Sequence, residues 1–225
     1  VVSCVESRRI RKDETMKRLT AILLLISLAL GLAACGGEPE PTPDPHEGMI
    51  YVNTGAGEEW VDEAEGVPVS QLSESDFETG EDGIPVYTGD VYETRLGIDV
   101  SFYQGDIDWQ AVADAGIEFA MIRCGYRGSS EGELFVDEKF EQNMQGAIDA
   151  GLDVGVYFFS QSMGAIEAAE EALFVLDLIK DYDISMPVAF DWEPLEDSRA
   201  EDINDEELTA SALVFCEMIK DAGYT

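Results

Sequence analysis

Apolar and polar positions follow two alternating patterns along the second half of the chain. From residue 97 onward, short apolar runs typical of buried strands are separated by longer stretches with apolar residues three or four positions apart, typical of amphipathic helices. This repeated order predicts an α/β fold. The predicted strands cover 97–101, 119–124, 154–159 and 187–191, and the predicted helices begin at Asp108 as an N-cap and cover 137–150, 166–180 and 206–222.

The last two predicted helices each carry an apolar stripe, which is the side expected to face the core. In the helix at 166–180 the stripe consists of Ile166, Ala169, Leu173, Leu176 and Ile179. In the helix at 206–222 it consists of Leu208, Ala212, Phe215 and Ile219.

An Asp-Ala-Gly sequence closes three of the predicted helices, at 114–116, 149–151 and 221–223. Glycine at this point suits a left-handed residue after a helix. Repeated βα units imply a parallel sheet with covered faces, either an open doubly wound sheet or a barrel. No glycine-rich phosphate loop follows the first strand, which disfavours nucleotide binding. Tyr224 and Thr225 are expected to begin a fifth strand, so the chain is expected to stop in mid-fold.

The N-terminal 35 residues carry a predicted export signal. Met16 is followed by two basic residues, an apolar run over 19–34 and then Cys35. A membrane span needs about 20 apolar residues, so the run favours a signal peptide at 16–35 over an uncleaved anchor helix. The ending Leu-Ala-Ala-Cys resembles the lipobox of bacterial lipoproteins, which makes Cys35 the predicted lipidation site. Residues 1–15 are interpreted as an upstream extension of the reading frame.

Residues 36–95 differ from the rest in composition. Four prolines between 39 and 45 alternate with polar residues and predict a semi-rigid tether. The following stretch is acidic and interrupted by glycine, and we expect it to be poorly ordered or loosely docked. One strand is predicted there, at 84–87.

Charge and rare residues exclude several classes of function. The chain has 48 acidic and 13 basic residues, a formal charge of -35, which repels nucleic acids and leaves a lipid anchor as the only expected membrane contact. His46 is the single histidine, so a Ser-His-Asp triad, a Cys-His dyad and a histidine-rich zinc site are disfavoured. No metal or cofactor is expected. Cys124 and Cys216 either form a disulfide in an oxidising compartment or, as we prefer, stay as two buried free thiols.

Carboxylates at strand ends are the candidate chemical groups. Function in such folds collects at the carboxyl ends of the strands. Asp99 ends the first predicted strand, and Asp191 and Glu193 end the fourth. Side chains alternate along a strand, so these last two face the same way with α-carbons about 6.5 to 7 Å apart. Such a pair holds one proton at raised pKa and suits glycoside hydrolysis, although two solvated loop acids remain the alternative.

These residues belong to a set of motifs that resembles the glycoside hydrolase family 25 lysozymes. The motifs are Gly-Ile-Asp-Val-Ser at 97–101, Tyr-Gln-Gly at 103–105, Ile-Asp-Trp at 107–109, Gly-Leu-Asp-Val-Gly-Val-Tyr at 151–157 and Phe-Asp-Trp-Glu at 190–193. The resemblance covers 96–225 as a catalytic domain. It implies an irregular (β/α) barrel of the TIM-barrel type, incomplete at the C-terminus.

The resemblance also implies a reaction and a place. The family hydrolyses the β-1,4 bond between N-acetylmuramic acid and N-acetylglucosamine, so the expected partner is the peptidoglycan glycan strand. We expect an exported protein, lipid-anchored at the outer face of the bacterial cytoplasmic membrane or in the cell envelope. A non-catalytic peptidoglycan-binding lipoprotein is the second hypothesis, and an intact set of three acids argues against it.

Position by position, the resemblance makes Glu193 the general acid. Asp191 matches the carboxylate that orients the acetamido group or stabilises the charged intermediate, and Asp99 matches another acid of the cluster. Tyr157 matches an aromatic residue lining the sugar site, with a core role as the alternative. Two further substrate-binding candidates come from the residues themselves: Arg123, for which an ion pair with the acids is the preferred role, and Tyr103, which either stacks on a sugar or packs its loop.

Overall fold

The computed structural model describes residues 5–9, 45–53, 58–63, 66, 68, 70–80 and 83–225. These residues form two compact units, which divide near residue 90. The larger unit contains residues 90–225 together with strand β1 (Val5–Arg9). The predicted signal segment, Cys35 and the first three of the four prolines lie outside the described residues, and Pro45 is the first residue described after them. No helix of the described residues is long and apolar enough to cross a membrane.

Among its described residues, the smaller unit has two short antiparallel hairpins and a 3-10 helix at Glu74–Asp76. One pairs β2 (Met49–Asn53) with β3 (Glu58–Asp62), and the other pairs β4 (Phe77–Thr79) with β5 (Pro85–Tyr87). Aromatic contacts accompany each hairpin: the rings of His46 and Trp60 stack at 3.9 Å, and those of Phe77 and Tyr87 meet at 5.5 Å. The predicted strand at 84–87 is confirmed as β5. The other three strands were not predicted. β3 and β4 have few apolar residues to mark a strand, whereas β2 is apolar at four of its five positions and lies in a stretch that was expected to be poorly ordered.

The larger unit repeats strand and helix in the predicted order. Its elements after β1 are β6 (Tyr92–Val100), α1 (Trp109–Asp114), β7 (Phe119–Arg127), β8 (Leu134–Val136), α2 (Phe140–Asp149), β9 (Asp153–Ser160), α3 (Ala165–Ile179), β10 (Val188–Trp192) and α4 (Asp205–Asp221).

All four predicted parallel strands are confirmed. β6 and β7 are several residues longer than predicted, and β9 is longer by one residue at each end. The sheet order is β1-β6-β7-β9-β10, and β6, β7, β9 and β10 run parallel to one another. β6 begins at Tyr92 because its first half pairs antiparallel with β1. β7 continues to Arg127 because β8 pairs with its end, after a β-bulge between Arg123 and Gly125. A sequence pattern carries no information on such added partners, so it predicts these strands too short.

The predicted helices are confirmed with small shifts at their starts. Asp108 is the N-cap of α1, and its Oδ1 accepts a hydrogen bond from the amide of Ala111 at 3.1 Å. Helix α2 begins at Phe140, three residues later than predicted, because Asp137 turns its side chain toward other groups described below. The glycines at 116, 151 and 223 have φ of +86°, +82° and +95°, as the Asp-Ala-Gly repeat predicted.

The buried face of α3 differs from the predicted stripe. Ile166 is 80% exposed and Leu173 is 60% exposed, so these two predictions are wrong. Glu171 is instead fully buried, because the guanidinium of Arg127 and the hydroxyl of Ser160 hold its carboxylate. The buried face of α3 is therefore centred away from the predicted apolar stripe, because it includes a charged residue that the apolar pattern places at the surface. The residues of α3 that are buried are Ala168, Glu171, Ala172, Val175 and Ile179.

The core lies between the sheet and its helices. Alternate residues of the strands face the helices, and Phe215 and Ile219 of α4 are buried against them, as predicted. No fifth strand forms at the end of the chain, but the carbonyl of Thr225 accepts a hydrogen bond from the amide of Val188 at 2.8 Å. The core residues supplied by the strands are Val100, Ala120, Ile122, Cys124, Val154, Val156, Phe158 and Val188.

Both cysteines in the described residues are free thiols. Cys124 is buried, whereas Cys216 is exposed on α4. The disulfide alternative is therefore wrong for this structure. The prediction of buried free thiols is confirmed for Cys124 and wrong for Cys216.

Candidate active site

Strand register places four of the predicted site residues on one face of the sheet. Arg123 of β7 is paired with Tyr157 of β9, and Asp191 of β10 is paired with Phe159, two residues further along β9. Asp99 of β6 is paired with Met121, two residues before Arg123. Partners in a parallel ladder share a face, and so do residues two apart. These side chains therefore lie together on the face opposite the helix-packed core.

The acid cluster of Asp99, Asp191 and Glu193 is electrostatically coupled. The pKa of Asp191 is raised from 3.8 to about 6 by burial, and further by the negative charges of Glu193 and Asp99. Arg123 opposes this shift. Glu193 lies one residue beyond the end of β10 and is exposed, so substrate can reach its carboxyl. Asp191 therefore keeps its proton to a higher pH than an ordinary aspartate does, and burial contributes more to this rise in pKa than the neighbouring acids on which the prediction was based.

Arg123 forms its ion pair with a residue that the sequence analysis did not select. Its Nε donates to Oδ2 of Asp137 at 2.8 Å, and the side chains are 9% and 0% exposed. The preferred role for Arg123, an ion pair with the acid cluster, is therefore wrong in its partner. Asp137 also accepts from the backbone amides of Phe102 and Lys139, at 3.1 and 2.9 Å. An aspartate just before a helix looks like a cap in sequence, which is why its role was missed.

Three aromatic rings surround the Arg123 guanidinium. Its central carbon lies 5.0 Å from the ring centre of Phe102 and 5.3 Å from those of Tyr103 and Tyr126. One of its terminal nitrogens, Nη2, is buried and has no hydrogen-bond partner among the described residues. Tyr103 is 75% exposed and rests against Phe102. Tyr103 therefore presents an open ring at the margin of the acid cluster.

Tyr157 stands between the arginine and the acids. Burial raises its pKa to about 12, so its hydroxyl keeps its proton throughout neutral solution. Arg123 and a hydrogen bond with Ser101 act in the opposite direction, while Asp99 and Asp191 add to the rise. The ring is half-buried. Tyr157 can therefore donate a hydrogen bond beside the acids.

A groove of about 360 Å³ opens beside the strand ends. It is bounded by the loop at 128–133, and Leu195 brings the segment after Glu193 into its wall. The rings of Tyr126 and Phe135 stack at 5.2 Å on one side. The side chains that form its apolar surface are Tyr126, Phe135, Phe159 and Leu195.

No group of three histidine, cysteine, aspartate or glutamate residues in the described ranges is arranged to hold a metal ion. The described residues of the site offer carboxyl groups, tyrosine hydroxyls and one buried guanidinium.

A known protein family matches the part of the chain that contains the acid cluster. The sequence profile of Glycosyl hydrolases family 25 matches residues 98–225, which include every member of the cluster. The chain belongs to glycosyl hydrolase family 25. Among curated relatives, this family 25 chain is 30% identical to Lysozyme M1 of Streptomyces globisporus over 156 residues, which is 69% of the chain and 46% of Lysozyme M1.

Two further relatives differ in how much they share. The chain is 31% identical to the autolytic lysozyme of Clostridium acetobutylicum over 74 residues, 33% of this chain and 21% of that protein. The autolysin LytC of Streptococcus pneumoniae, solved with a synthetic peptidoglycan ligand, superposes with a TM-score of 0.53 at 22% identity, over 79% of this chain and 41% of LytC. This likeness supports a common mixed α/β fold. The family 25 chain spans less than half the length of these relatives.

Proposed function

We propose that this chain is a lysozyme-type muramidase, which hydrolyses the β-1,4 bond between N-acetylmuramic acid and N-acetylglucosamine in peptidoglycan. The observation that carries the proposal is the coupled acid cluster, in which burial and two neighbouring carboxylates raise the pKa of Asp191 to about 6. Membership of family 25 and the similarity to Lysozyme M1 support the choice of substrate.

The three acids divide the reaction between them. Glu193, exposed at the end of its strand, gives a proton to the glycosidic oxygen as the bond from the anomeric carbon to that oxygen breaks. Asp191 and Asp99 stabilise the positive charge that develops on the sugar, either directly or by orienting its acetamido group. A water molecule then adds to the anomeric carbon, and its proton returns to the cluster.

The surrounding residues bind and orient the sugar chain. Tyr157 donates a hydrogen bond from its hydroxyl to the sugar beside the acids, and Tyr103 offers a ring face for stacking. Arg123, whose side chain is 9% exposed, acts on the sugar chain indirectly, because its guanidinium packs against the rings of Phe102 and Tyr103. The apolar groove next to Leu195 gives the glycan strand a path away from the scissile bond.

The fold and the location belong to the same proposal. The four parallel strands with their helices belong to an irregular (β/α) barrel of the TIM-barrel type. The signal-like segment at 16–35 exports the protein, and a lipid on Cys35 anchors it at the outer face of the membrane. The peptidoglycan substrate lies on that side of the membrane.

The test is an analysis of the ends released from peptidoglycan. The 225-residue chain, shown to be folded by circular dichroism, is incubated with purified peptidoglycan, and the reducing ends are identified by mass spectrometry. We expect reducing N-acetylmuramic acid. Glu193→Gln should reduce turnover at least 10³-fold, the scale expected when the proton donor is lost, while binding to the glycan persists. Glu196→Gln, an exposed acid three residues away, is the matched control and should retain wild-type turnover.

Other outcomes distinguish the alternatives. Binding without release by a folded wild-type chain would favour the non-catalytic peptidoglycan-binding protein. Reducing N-acetylglucosamine would mean that the other glycosidic bond is cut. Near-normal hydrolysis by Glu193→Gln would remove Glu193 from the role of general acid.

A further inference from the structure

Glu193 lies where regular sheet hydrogen bonding has ended. The ladder between β9 and β10 stops at the pair of Ser160 and Trp192. Helix α4 starts only at Asp205, and no helix or strand is formed between them. A backbone segment outside a ladder needs other partners to hold one position.

Gln161, the residue directly after the end of β9, supplies such a partner. Its side-chain nitrogen Nε2 donates to the carbonyl oxygen of Glu193 at 2.8 Å and to that of Ser160 at 3.0 Å. Both acceptors are carbonyl oxygens, so only the NH2 end of the amide can face them. One amide group therefore connects the ends of β9 and β10 where the ladder stops.

The NH2 group of the Gln161 side chain has hydrogen-bond partners, but its carbonyl oxygen does not. It is fully buried, and its Oε1 has no hydrogen-bond partner among the described residues. A buried carbonyl without a partner lowers stability, so this amide is not the optimal choice for the core. What the amide gains is the contact to the backbone of Glu193.

Two buried or half-buried ion pairs hold the backbone segment that carries Gln161. Arg199 donates to both carboxylate oxygens of Glu167, at 2.7 and 2.6 Å, and its Nη1 lies 3.4 Å from the carbonyl oxygen of Gln161. On the other side, Ser160 donates to the buried Glu171, which is paired with Arg127 at 2.6 Å. These contacts fix the strand end that carries Gln161, so its amide can act as a rigid support.

We propose that Gln161 is a positioning residue for the reaction, and that it fixes the backbone of Glu193 so that the carboxyl group of Glu193 points at the glycosidic oxygen. This inference rests on the proposed function. Gln161 contacts the backbone and not the carboxyl of Glu193, so it sets the position of the acid and leaves its proton free for transfer. A displacement of about 1 Å in a catalytic group can cost on the order of 100-fold in rate.

The test compares two variants without a donor and one matched control in the 225-residue chain. Gln161→Met keeps the length of the side chain, and Gln161→Leu is a second apolar variant in case one does not fold. Gln145→Met makes the same chemical change on the exposed face of α2, where the amide donates to Asp149. We expect kcat to fall about 10- to 100-fold in both Gln161 variants with KM within about twofold, and no change in the control.

A second readout does not depend on activity. Carboxyl carbon NMR follows the titration of Asp191, whose pKa of about 6 depends in part on the charge of Glu193. When Glu193 is released from its position, the pKa of Asp191 should fall toward its ordinary value. If the wild-type chain folds but releases no muramic acid ends, the proposed function fails and this titration decides the positioning of Glu193. Wild-type kcat together with an unchanged Asp191 titration in the Gln161 variants would overturn the inference.

Discussion

Arg123 and Asp137 form a buried ion pair, with Nε and Oδ2 2.8 Å apart, beneath the acid cluster. The pair links β7 to the segment that precedes α2. Asp137 also accepts the amide of Phe102, so the pair ties the loop after β6 to the same point. Asp137 therefore helps to hold the segment that carries Tyr103, together with the hydrogen bonds between Ser101 and Gln104.

Asp137→Asn should destabilise the protein strongly. The change keeps the shape of the side chain but leaves the buried Arg123 charge without a compensating charge, so we expect the free energy of unfolding to fall by about 3 kcal/mol. Urea denaturation followed by tryptophan fluorescence measures this. Asp106→Asn, which breaks the exposed pair with Lys139, is the control and should leave the denaturation midpoint unchanged. Equal midpoints for both variants would contradict the structural role of Asp137.

Asp191→Asn should stabilise the protein at neutral pH while abolishing its activity. The pKa of Asp191 is raised to about 6 in the folded state, from about 3.8 in the unfolded chain, so ionisation disfavours folding. The stability that the neutral carboxyl provides is complete below pH 4 and is lost as the pH rises through about 6. After allowance for partial exposure, the variant should gain about 1 to 2 kcal/mol at pH 8 and almost nothing at pH 3.5. Denaturation curves at the two pH values test this, and a gain of the same size at both would contradict it.

Tyr157→Phe should separate binding at the site from packing in the core. The ring remains in place, so the free energy of unfolding should change by no more than about 1 kcal/mol. Loss of a hydroxyl that donates to the sugar should lower kcat/KM about tenfold or more. Kinetics on soluble peptidoglycan fragments give kcat/KM, and urea titration gives the free energy of unfolding. Tyr182→Phe serves as the comparison and should keep wild-type kinetics. The ring of Tyr182 packs on Phe140, with ring centres 5.7 Å apart, and is not part of the acid cluster.

The two thiols should differ in reactivity in the folded protein. Burial raises the pKa of Cys124, and its Sγ donates to the carbonyl of Tyr157 at 3.3 Å, so little thiolate forms. Cys216 is exposed on α4. Iodoacetamide should label Cys216 in native buffer and Cys124 only after denaturation, as read by peptide mass spectrometry. A peptide pair linked through these two residues would show instead that a disulfide forms.

Several parts of the fold and site followed from local chemistry alone. The parallel strands and the helices between them could be predicted because their apolar spacing is a local property. The acids at 191 and 193 could be paired from strand alternation. The three Asp-Ala-Gly helix ends could be predicted because glycine tolerates a left-handed backbone.

The tertiary structure decided which partners the charged and polar groups have. Arg123 pairs with Asp137, fourteen residues away, and Glu171 is buried against Arg127, forty-four residues away. Gln161 reaches the carbonyl of Glu193 only because two strands end side by side. A buried charge or amide takes its partner from whatever the fold brings within about 3 Å, and no periodicity along the chain encodes that distance. The sequence by itself determined which strand-end carboxylates are the candidates for the chemistry, and the fold determined what holds them in place.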